Sequence, residues 1–455
     1  MLALDPGALR RLGSGRRSVV VSGTNGKTTT TSLLRAAMAT AGPVVTNAQG
    51  ANLPAGIAAV LAAAAPGVDA VLEVDEAWLA GVAAALQPAV VVLLNLSRDQ
   101  LDRNNEVRTL AGSWRGLLAG LPRTLVVANA DDPLVVWAAG AARRVVWVGA
   151  GQPWTADASG CPACGGRIAF PTPAARHGAE PAQPGPEPAR PGAETARPGA
   201  ETAQLEPSAA QPVGEGWACS SCATRRPALD VVLQGGTVVG GEAWRVSLGL
   251  GLPGRANRAN AAMALAAASA LGVDAGAAAA AMEGLDEVAG RYRSFRVEGV
   301  PARLLLAKNP AGWQEVLDVI RPAPAPVVVA INARTADGRD PSWLWDVAFE
   351  ALAGRAVVAA GERGRDLAVR LHYAEVDHRY AGDLLGAVRS AARLAKAATS
   401  ASTRLGATTV AAGGEQGARS EQGARSEQGA GSDQAAGFDV VANYTAFQAL
   451  LAGLS

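Results

Sequence analysis

The sequence predicts an α/β protein with two domains, each a parallel sheet covered by helices. An apolar, β-branched run at 19–21 enters a turn with two glycines and then a helix. Near-continuous apolar runs, typical of strands buried on both faces, then alternate with helical stretches as far as residue 148. A second, shorter series of the same kind begins near residue 300. A chain of 455 residues is long enough for two to four domains.

The turn after the first strand has the composition of a phosphate-binding loop. Gly23 and Gly26 let backbone N–H groups point at phosphate oxygens, and the following helix adds its positive dipole end. Lys27 would reach the β- and γ-phosphates, and the Thr28 hydroxyl would ligate Mg²⁺. The spacing G-x-x-G-K-T is shorter than the G-x-x-x-x-G-K-[ST] form, so a glycine-rich connection without a ligand is the alternative. The predicted ATP-binding residues of the loop are Gly23, Thr24, Asn25, Gly26, Lys27, Thr28 and Thr29.

The alternation that follows predicts the order of elements in the first domain. Strands are predicted at 44–46, 70–74, 90–94, 125–127 and 145–148, and helices at about 32–40, 54–65, 76–86, 107–118 and 133–139. Ligands of such sheets bind beyond the carboxyl ends of the strands. Polar residues stand at those ends: Glu73, Asp75 and Glu76; Asn95, Arg98, Asp99 and Asp102; Asn129, Asp131 and Asp132.

Glu73 is the carboxylate that we predict to bind magnesium. A hard cation between ATP phosphates takes one or two carboxylates together with the hydroxyl of a phosphate-binding loop, here that of Thr28. ATP and Mg²⁺ are therefore the predicted ligands of this end of the sheet. The alternative is that Glu73 caps the helix that follows it.

The four cysteines of the chain form two Cys-x-x-Cys pairs: Cys161, Cys164, Cys219 and Cys222. Four thiolates from two tight turns make a closed tetrahedral Zn²⁺ site, which is structural because no coordination position stays open. A redox pair or unrelated thiols are the alternatives. We predict a zinc ribbon at 155–228, inserted in the first domain. The Pro/Gly/Ala/Glu repeat inside it, at about 173–213, cannot bury enough surface to order itself.

The boundary between the domains is predicted near Gly299, so that 1–298 form the first domain and 299–455 the second. Strand-like runs at 302–306, 327–331 and 357–361 indicate a smaller, Rossmann-like α/β sheet. A Gly/Ser/Gln/Ala/Arg repeat at about 411–437 interrupts it and is predicted to be a flexible insertion.

The composition argues against several classes of function. The 41 basic and 40 acidic residues balance, so nothing indicates nucleic-acid binding or electrostatic attraction to a membrane. The N-terminus lacks a basic-then-apolar signal pattern, and no window holds about 18 strongly apolar residues without a break. The paired cysteines indicate a reduced compartment. We therefore expect a cytoplasmic protein without a transmembrane segment.

The string Gly-Thr-Asn-Gly-Lys-Thr-Thr at 23–29 resembles the ATP loop of the Mur ligases, which join amino acids to cell-wall precursors, and of the folylpolyglutamate synthases. Those enzymes make an acyl phosphate from a carboxylate and ATP, which an amine then attacks. The strings at 95–103 and 129–133 also resemble motifs of the Mur-ligase central domain.

The same resemblance adds two residues to the predicted ATP site. It implies that Asn260 contacts adenine and that Arg291 approaches the nucleotide. Ala256 stands where many Mur ligases carry histidine, so that contact is absent here. Apart from the resemblance, Asn257 and Asn260 would be interpreted as a helix start with asparagine as its cap.

Three features make the chain similar to the MurT family of Mur ligases. They are the four-cysteine insertion, the string Leu-Ala-Lys-Asn-Pro-Ala-Gly at 306–312 and the string Asp-Gly-Arg-Asp-Pro-Ser-Trp-Leu-Trp-Asp at 337–346. MurT proteins are ligase subunits of lipid II isoglutaminyl synthases. The resemblance implies that ATP activates the α-carboxyl of D-glutamate in the lipid II stem peptide and that ammonia converts it to a carboxamide. It also implies action at the inner face of the membrane, where the lipid-linked substrate lies.

The resemblance further implies a heterodimer with a GatD-like glutamine amidotransferase, which supplies the ammonia. A glutaminase needs a nucleophilic cysteine on a sharp turn with a histidine nearby, whereas every cysteine here lies in a Cys-x-x-Cys pair. An amino-acid-adding ligase, which would need no glutaminase, and a nucleotide-dependent scaffold are the alternatives.

Asp340 is the residue that the resemblance assigns to the partner's active site, where it would complete a Cys–His pair. An aspartate behind a histidine fixes its tautomer and stabilises the imidazolium. The alternative is that Asp340 only caps a helix starting at Pro341. Trp343 and Trp345 are expected to be either interface anchors or core residues.

Overall fold

The computed structural model of the chain describes residues 5, 7–47, 51–98, 107–171, 216–285, 292–411 and 437–454, with side chains described only to residue 400 in the helix that ends at 411. The predicted repeat at 173–213 lies outside the described residues, as do residues 412–436 of the second repeat. None of the described helices combines the length and the apolar composition that crossing a bilayer requires.

The first domain contains strands and helices in the alternating order that the sequence predicts. Its strands are β1 (Ser18–Ser22), β2 (Val44–Thr46), β3 (Asp69–Glu73), β4 (Val90–Leu93), β5 (Leu125–Asn129), β6 (Val145–Gly149), β7 (Ile168–Ala169), β8 (Ala218–Cys219), β9 (Val231–Gln234), β10 (Thr237–Gly240) and β11 (Trp244–Ser247). Its helices are α1 (Ala8–Gly13), α2 (Lys27–Ala39), α3 (Pro54–Ala63), α4 (Leu79–Leu86), α5 (Val107–Ala119), α6 (Pro133–Ala139), α7 (Arg255–Ala270) and α8 (Ala275–Glu283).

Nine of these strands form one sheet in the order β11-β10-β9-β6-β5-β4-β1-β3-β2. Neighbours are parallel from β2 to β9, and β10 and β11 are antiparallel additions at one edge. Side chains alternate between the faces of a strand, so Val19 and Val21 pack toward α2, α7 and α8, while Val20 packs toward α3 to α6. Burial on both faces explains why β1 is apolar almost without interruption.

The second domain is a smaller sheet that also has helices on both faces. Its strands are β12 (Tyr292–Val297), β13 (Val300–Leu306), β14 (Val327–Ala330), β15 (Val357–Ala360), β16 (His378–Tyr380) and β17 (Phe438–Ala442). Its helices are α9 (Pro310–Leu317), α10 (Gly364–Tyr373), α11 (Leu384–Ala411) and α12 (Tyr444–Leu454). The strand order is β12-β13-β17-β14-β15-β16, and only β12 is antiparallel to its neighbour.

The domain boundary predicted near Gly299 is wrong. Strand β12 pairs with β13 from Tyr292 to Val297, so the second domain already includes Tyr292. Glu298 and Gly299 form the two-residue connection, and both have positive φ angles (48° and 83°), as a tight hairpin turn of the I′ kind requires. Gly299 therefore marks the turn inside a hairpin rather than the entrance to a domain.

A buried carboxylate joins three parts of the second domain. Asp439 on β17 is fully buried and accepts two hydrogen bonds of 2.7 Å from the guanidinium of Arg303 on β13. It also accepts a 2.6 Å bond from the backbone N–H of Arg321, which follows α9. Paired in this way, the charge is compensated although it is out of water.

Removing this charge should weaken the second domain strongly. Asp439→Asn leaves the guanidinium of Arg303 without its counter-ion, and we expect a loss of about 3–5 kcal/mol in the free energy of unfolding. Urea unfolding followed by circular dichroism measures the loss. Asp366→Asn, an exposed change on α10 of the same domain, is the control and should stay within about 0.5 kcal/mol. Unfolding of Asp439→Asn at the wild-type urea concentration would contradict this account of the ion pair.

Candidate functional site

The predicted phosphate-binding loop is the connection between β1 and α2, at the carboxyl end of the large sheet. Gly26 has a φ of 82°, and a Cβ there would come within 2.4 Å of the Oδ1 atom of Asn260 on α7. A Cβ at Gly23 would come within 2.9 Å of Leu94. Both glycines are therefore required by close approach to other elements, in addition to any approach to phosphate.

Lys27 is buried inside this loop. Its ammonium group donates to the carbonyl oxygens of Gly23 (2.5 Å) and Thr24 (3.2 Å) and to Oε2 of Glu76 (2.7 Å). The side chains of Lys27 and Glu76 are only 5% and 10% exposed. Glu76 was one of the polar residues expected at this strand end, but its ion pair with Lys27 was not predicted. The sequence signal for this ion pair was the presence of three carboxylates within four residues at the end of a predicted strand.

The side chains of Thr24 and Asn25 hold the loop to its neighbours. Thr24 Oγ1 accepts from the backbone N–H of Ser97 (3.0 Å) and donates to the Ser97 carbonyl (3.1 Å). The backbone N–H of Asn25 donates to Oδ1 of Asn95 (2.9 Å), whose Nδ2 donates back to the Asn25 carbonyl (3.2 Å). Thr28 is half-buried and Thr29 buried, both in the first turn of α2.

The second domain also reaches the loop. Nδ2 of Asn25 donates to Oδ1 of Asn309, and Nδ2 of Asn309 donates to Oδ1 of Asn25, each at 3.3 Å. Asn309 caps α9 as well, since its Oδ1 accepts from the N–H of Gly312 at 2.8 Å. The neighbouring Lys308 is close enough to Asp75 to oppose the rise in that carboxyl's pKa. The loop is therefore a contact between the domains.

Glu73 lies at the end of β3 and is 3% exposed. Its Oε1 accepts from Nδ2 of Asn52 (3.2 Å), and its backbone N–H and carbonyl are both bonded to the side chain of Asn47 (2.9 and 2.7 Å). Helix α4 starts only at Leu79 and has no side-chain cap, so the alternative that Glu73 caps it is wrong. The role of Glu73 and Thr28 as oxygen ligands of a hard cation stays a prediction.

Asp75 follows Glu73 in a tight turn, where its Oδ1 accepts from the N–H of Ala77 (3.1 Å). Burial, and then the neighbouring charge of Glu76, raises the pKa of Asp75, while Lys27 and Lys308 act in the opposite direction. Two carboxylates and two ammonium groups thus share this corner of the site.

The acidic string after β5 has a structural role. Asp132 is fully buried and caps α6 by accepting from the N–H groups of Leu134 and Val135 (2.8 and 3.1 Å). It also accepts from the N–H of Leu96 (2.8 Å), which ties the end of β5 to that of β4. Burial raises the pKa of Asp132 to about 6, against the opposing effect of these hydrogen bonds.

Asn260 lies buried against the phosphate loop rather than at the start of α7. Helix α7 has Gly254 as its N-cap and no side-chain cap, so the interpretation of the asparagines as caps is wrong. Beside the first turn of α7, a cavity of about 280 Å³ is lined from both domains, with Gly151, Ala256 and Glu315 among its walls. Arg291, as well as Asp99 and Asp102, lies outside the described residues.

The four cysteines meet in one cluster, so the alternative of unrelated thiols is wrong. Their sulfur atoms all lie within 4.8 Å of one another, with Cys161–Cys222 at 3.7 Å and Cys164–Cys219 at 3.6 Å. A tetrahedron with Zn–S bonds of about 2.3 Å has S–S edges of about 3.8 Å, whereas a disulfide measures about 2.05 Å. The N–H groups of Gly166 and Ser221 donate to Cys164 and Cys219 (3.4 and 3.3 Å). The donor set and its dimensions fit a four-thiolate metal site.

Asp340 is exposed on the second domain. Its Oδ1 accepts from the N–H of Ser342 (2.9 Å), the first residue of the 3₁₀ helix Ser342–Asp346. This contact resembles the capping alternative, although no helix starts at Pro341 and only one carboxylate oxygen is used. The role of Asp340 in a partner's active site stays a prediction.

The two tryptophans of this segment have different environments. Trp343 is buried and belongs to the core, whereas Trp345 is 56% exposed. The ring of Trp345 lies 5.5 Å from that of the exposed Tyr373, and the guanidinium of Arg370 lies 5.6 Å from its centre. Of the two, only Trp345 is placed to contact another protein.

Comparisons with known proteins find relatives that match both domains of the chain. The family model for the Mur ligase middle domain matches residues 21–159, and the one for the MurT ligase C-terminal domain matches residues 306–405. The lipid II isoglutaminyl synthase (glutamine-hydrolyzing) subunit MurT of Streptococcus pneumoniae is 29% identical, over 81% of this chain and 80% of the relative. The subunit of that name from Staphylococcus aureus is 28% identical, over 82% and 81%.

Among solved structures, a pseudomurein peptide ligase type C from Methanothermus fervidus superposes with a TM-score of 0.61 at 16% identity. The match covers 97% of this chain and 79% of that protein. At this identity the likeness concerns the fold alone, and it extends over both domains.

The cysteine cluster leads to a test by metal analysis. We expect about one zinc ion per chain, and Cys161→Ser should release it and lower the unfolding midpoint by about 4–8 °C, the shift for a loss of about 2 kcal/mol in a domain of 150–250 residues. Ser220→Ala, an exposed change in the other Cys-x-x-Cys turn, is the control and should keep both metal and midpoint. Purified protein without zinc, or an unchanged midpoint in Cys161→Ser, would rule out a structural zinc site.

Proposed function

We propose that this chain is the ATP-dependent ligase subunit of a lipid II isoglutaminyl synthase. The chain matches the models of the Mur ligase middle domain and of the MurT ligase C-terminal domain, and so belongs to the Mur ligase family. The proposed reaction converts the α-carboxyl of D-glutamate in the lipid II stem peptide to the carboxamide of D-isoglutamine. The observation that carries the proposal is the contact of the phosphate loop with the 306–312 segment of the second domain, through Asn25 and Asn309.

The chemistry begins with transfer of the γ-phosphoryl group of ATP to the substrate carboxylate, which yields an acyl phosphate and ADP. Ammonia then attacks the carbonyl carbon, phosphate leaves, and the nitrogen loses a proton. Lys27 and the N–H groups at the start of α2 bind and neutralise the phosphates. Thr28 and Glu73 would hold Mg²⁺, which would supply positive charge beside the phosphates.

The nucleotide base is proposed to occupy the cavity beside the first turn of α7. That cavity is lined from both domains and partly by α7, the helix whose Asn260 lies beside Gly26 of the phosphate loop. Asn260 is proposed to contact the nucleotide, and the family resemblance adds Arg291, which lies outside the described residues. The zinc site stands apart from this chemistry, since a closed four-thiolate site leaves no coordination position for substrate.

Ammonia is proposed to come from a partner, a GatD-like glutamine amidotransferase. All four cysteines of the chain belong to the metal-type cluster, so none is available as a glutaminase nucleophile. Asp340, exposed on the second domain, is proposed to stand behind the partner's histidine, and Trp345 with Tyr373 is proposed to contact the partner nearby. Because lipid II is lipid-linked, the complex would act at the cytoplasmic face of the membrane.

Loss of the phosphate-loop lysine should abolish ligation with either nitrogen source. In the co-purified complex, we expect Lys27→Ala to lower amidation of lipid II at saturating ATP at least about 100-fold, with glutamine or with ammonium, because a preorganised cation at the phosphates is gone. Mass spectrometry of the muropeptide product measures the rate. Near wild-type rates with this variant would remove Lys27 from the mechanism. Addition of an amino acid in place of ammonia by the wild type would favour an amino-acid-adding ligase.

Asp340 should be needed only for the use of glutamine. Asp340→Asn keeps the size of the side chain but removes the charge that stabilises imidazolium, so glutamine-driven amidation should fall at least about 100-fold. Ammonium should restore most of the rate, since the acyl phosphate forms at the phosphate loop. Asp366→Asn serves as the control and should leave both rates unchanged. Failure of ammonium to rescue would place Asp340 in ligation itself, and survival of the glutamine-driven rate would refute the proposed triad.

A further inference from the structure

The ammonium group of Lys27 donates to at least three acceptors. Two are carbonyl oxygens of its own loop, those of Gly23 and Thr24, and the third is the carboxylate of Glu76. An ammonium group has three N–H donors. The two carbonyls belong to the loop itself, whereas the carboxylate of Glu76 is the charged acceptor with which phosphate oxygens would compete for Lys27.

The backbone of Glu76 is anchored beside Lys27. Its backbone carbonyl accepts from the indole N–H of Trp114 at 3.0 Å, and Trp114 is fully buried in the core on α5. The carboxylate itself is 10% exposed. A buried carboxylate without a cation is costly, so Glu76 favours the conformation in which Lys27 stays paired with it.

The pair of Lys27 and Glu76 lies among other charged side chains. Asp75 and Glu76 are the anions of the corner, and Lys27 and Lys308 are its cations. A nucleotide brings further negative charge to Lys27. Its phosphates must share the ammonium group of Lys27 with Glu76 or displace Glu76 from it. The Glu76 carboxylate and the nucleotide phosphate repel each other when both lie beside the buried ammonium group, so the two anions compete for Lys27.

We propose that Glu76 is a positioning residue that occupies the phosphate-facing site of Lys27 in the empty enzyme and is displaced when ATP binds. The carboxylate keeps the lysine in place and the loop neutral, and it lowers the apparent affinity for any ligand that needs Lys27. This inference rests on the proposed function in one respect, that Lys27 binds the phosphates of ATP.

The competition gives a measurable signature in nucleotide affinity. If Lys27 is available for about a tenth of the time, removal of the competing carboxylate tightens binding about tenfold, since apparent affinity scales with the competent fraction. We expect Glu76→Gln to bind ATP about tenfold more tightly than the wild type by calorimetry with Mg²⁺ present. Binding of AMP should be unchanged, because Lys27 serves the β- and γ-phosphates that AMP lacks.

Two variants make the test specific. Asp75→Asn removes the neighbouring charge but not the partner of Lys27, so it should tighten ATP binding far less than Glu76→Gln. Glu76→Asp keeps the charge on a shorter side chain and should shift ATP affinity in the same direction by a smaller factor. It provides the test if Glu76→Gln does not fold, which thermal unfolding will show.

Several outcomes would overturn the proposal. Unchanged or weaker ATP binding in Glu76→Gln would do so, and weakening seen only with Mg²⁺ would make Glu76 a ligand of the nucleotide's metal instead. Equal tightening by Asp75→Asn would attribute the effect to general charge. The proposed function fails separately, if Lys27→Ala binds ATP as tightly as the wild type. Loss of ATP binding in Lys27→Ala with no effect of Glu76→Gln would refute only the role of Glu76.

Discussion

The reciprocal amide contact between Asn25 and Asn309 is the interaction on which the site depends. Asn25 is part of the phosphate loop, and its backbone is held by Asn95 of the same domain while its side chain is held by the other domain. Both asparagines are buried, so their hydrogen bonds do not compete with water. The second domain therefore contacts directly the loop that we propose binds ATP.

Two ion pairs across this boundary are of a different kind. The ion pairs Arg255–Asp318 and Arg98–Asp346 link the domains at 2.5 and 3.5 Å, but their arginine side chains are 69% and 44% exposed. Exposed ion pairs contribute little to stability and are screened by salt. Such contacts can break and re-form at small cost, whereas the amide pair of Asn25 and Asn309 is buried.

The cysteine cluster supports the first domain from another side. Cys161 packs with Ile168, Trp217 and Val136 of α6, and the indole N–H of Trp217 donates to the carbonyl of Ala130 at 3.0 Å. Ala130 lies in the turn after β5, the turn that Asp132 also organises. A metal in the cluster would therefore stabilise a strand end near the site without taking part in its chemistry.

The sequence by itself determined the strand and helix order, the phosphate loop and the paired cysteines, because these patterns depend on neighbouring residues. Only the tertiary structure decided which side chains meet at the site. Lys27 and Glu76 are 49 residues apart and Asn25 and Asn309 are 284 apart, so no local pattern records their contact. The tertiary structure also decided that β12 belongs to the second sheet, since the sheet that a strand joins depends on the strand it pairs with, here β13. Local propensity specifies elements, whereas long-range packing chooses their partners.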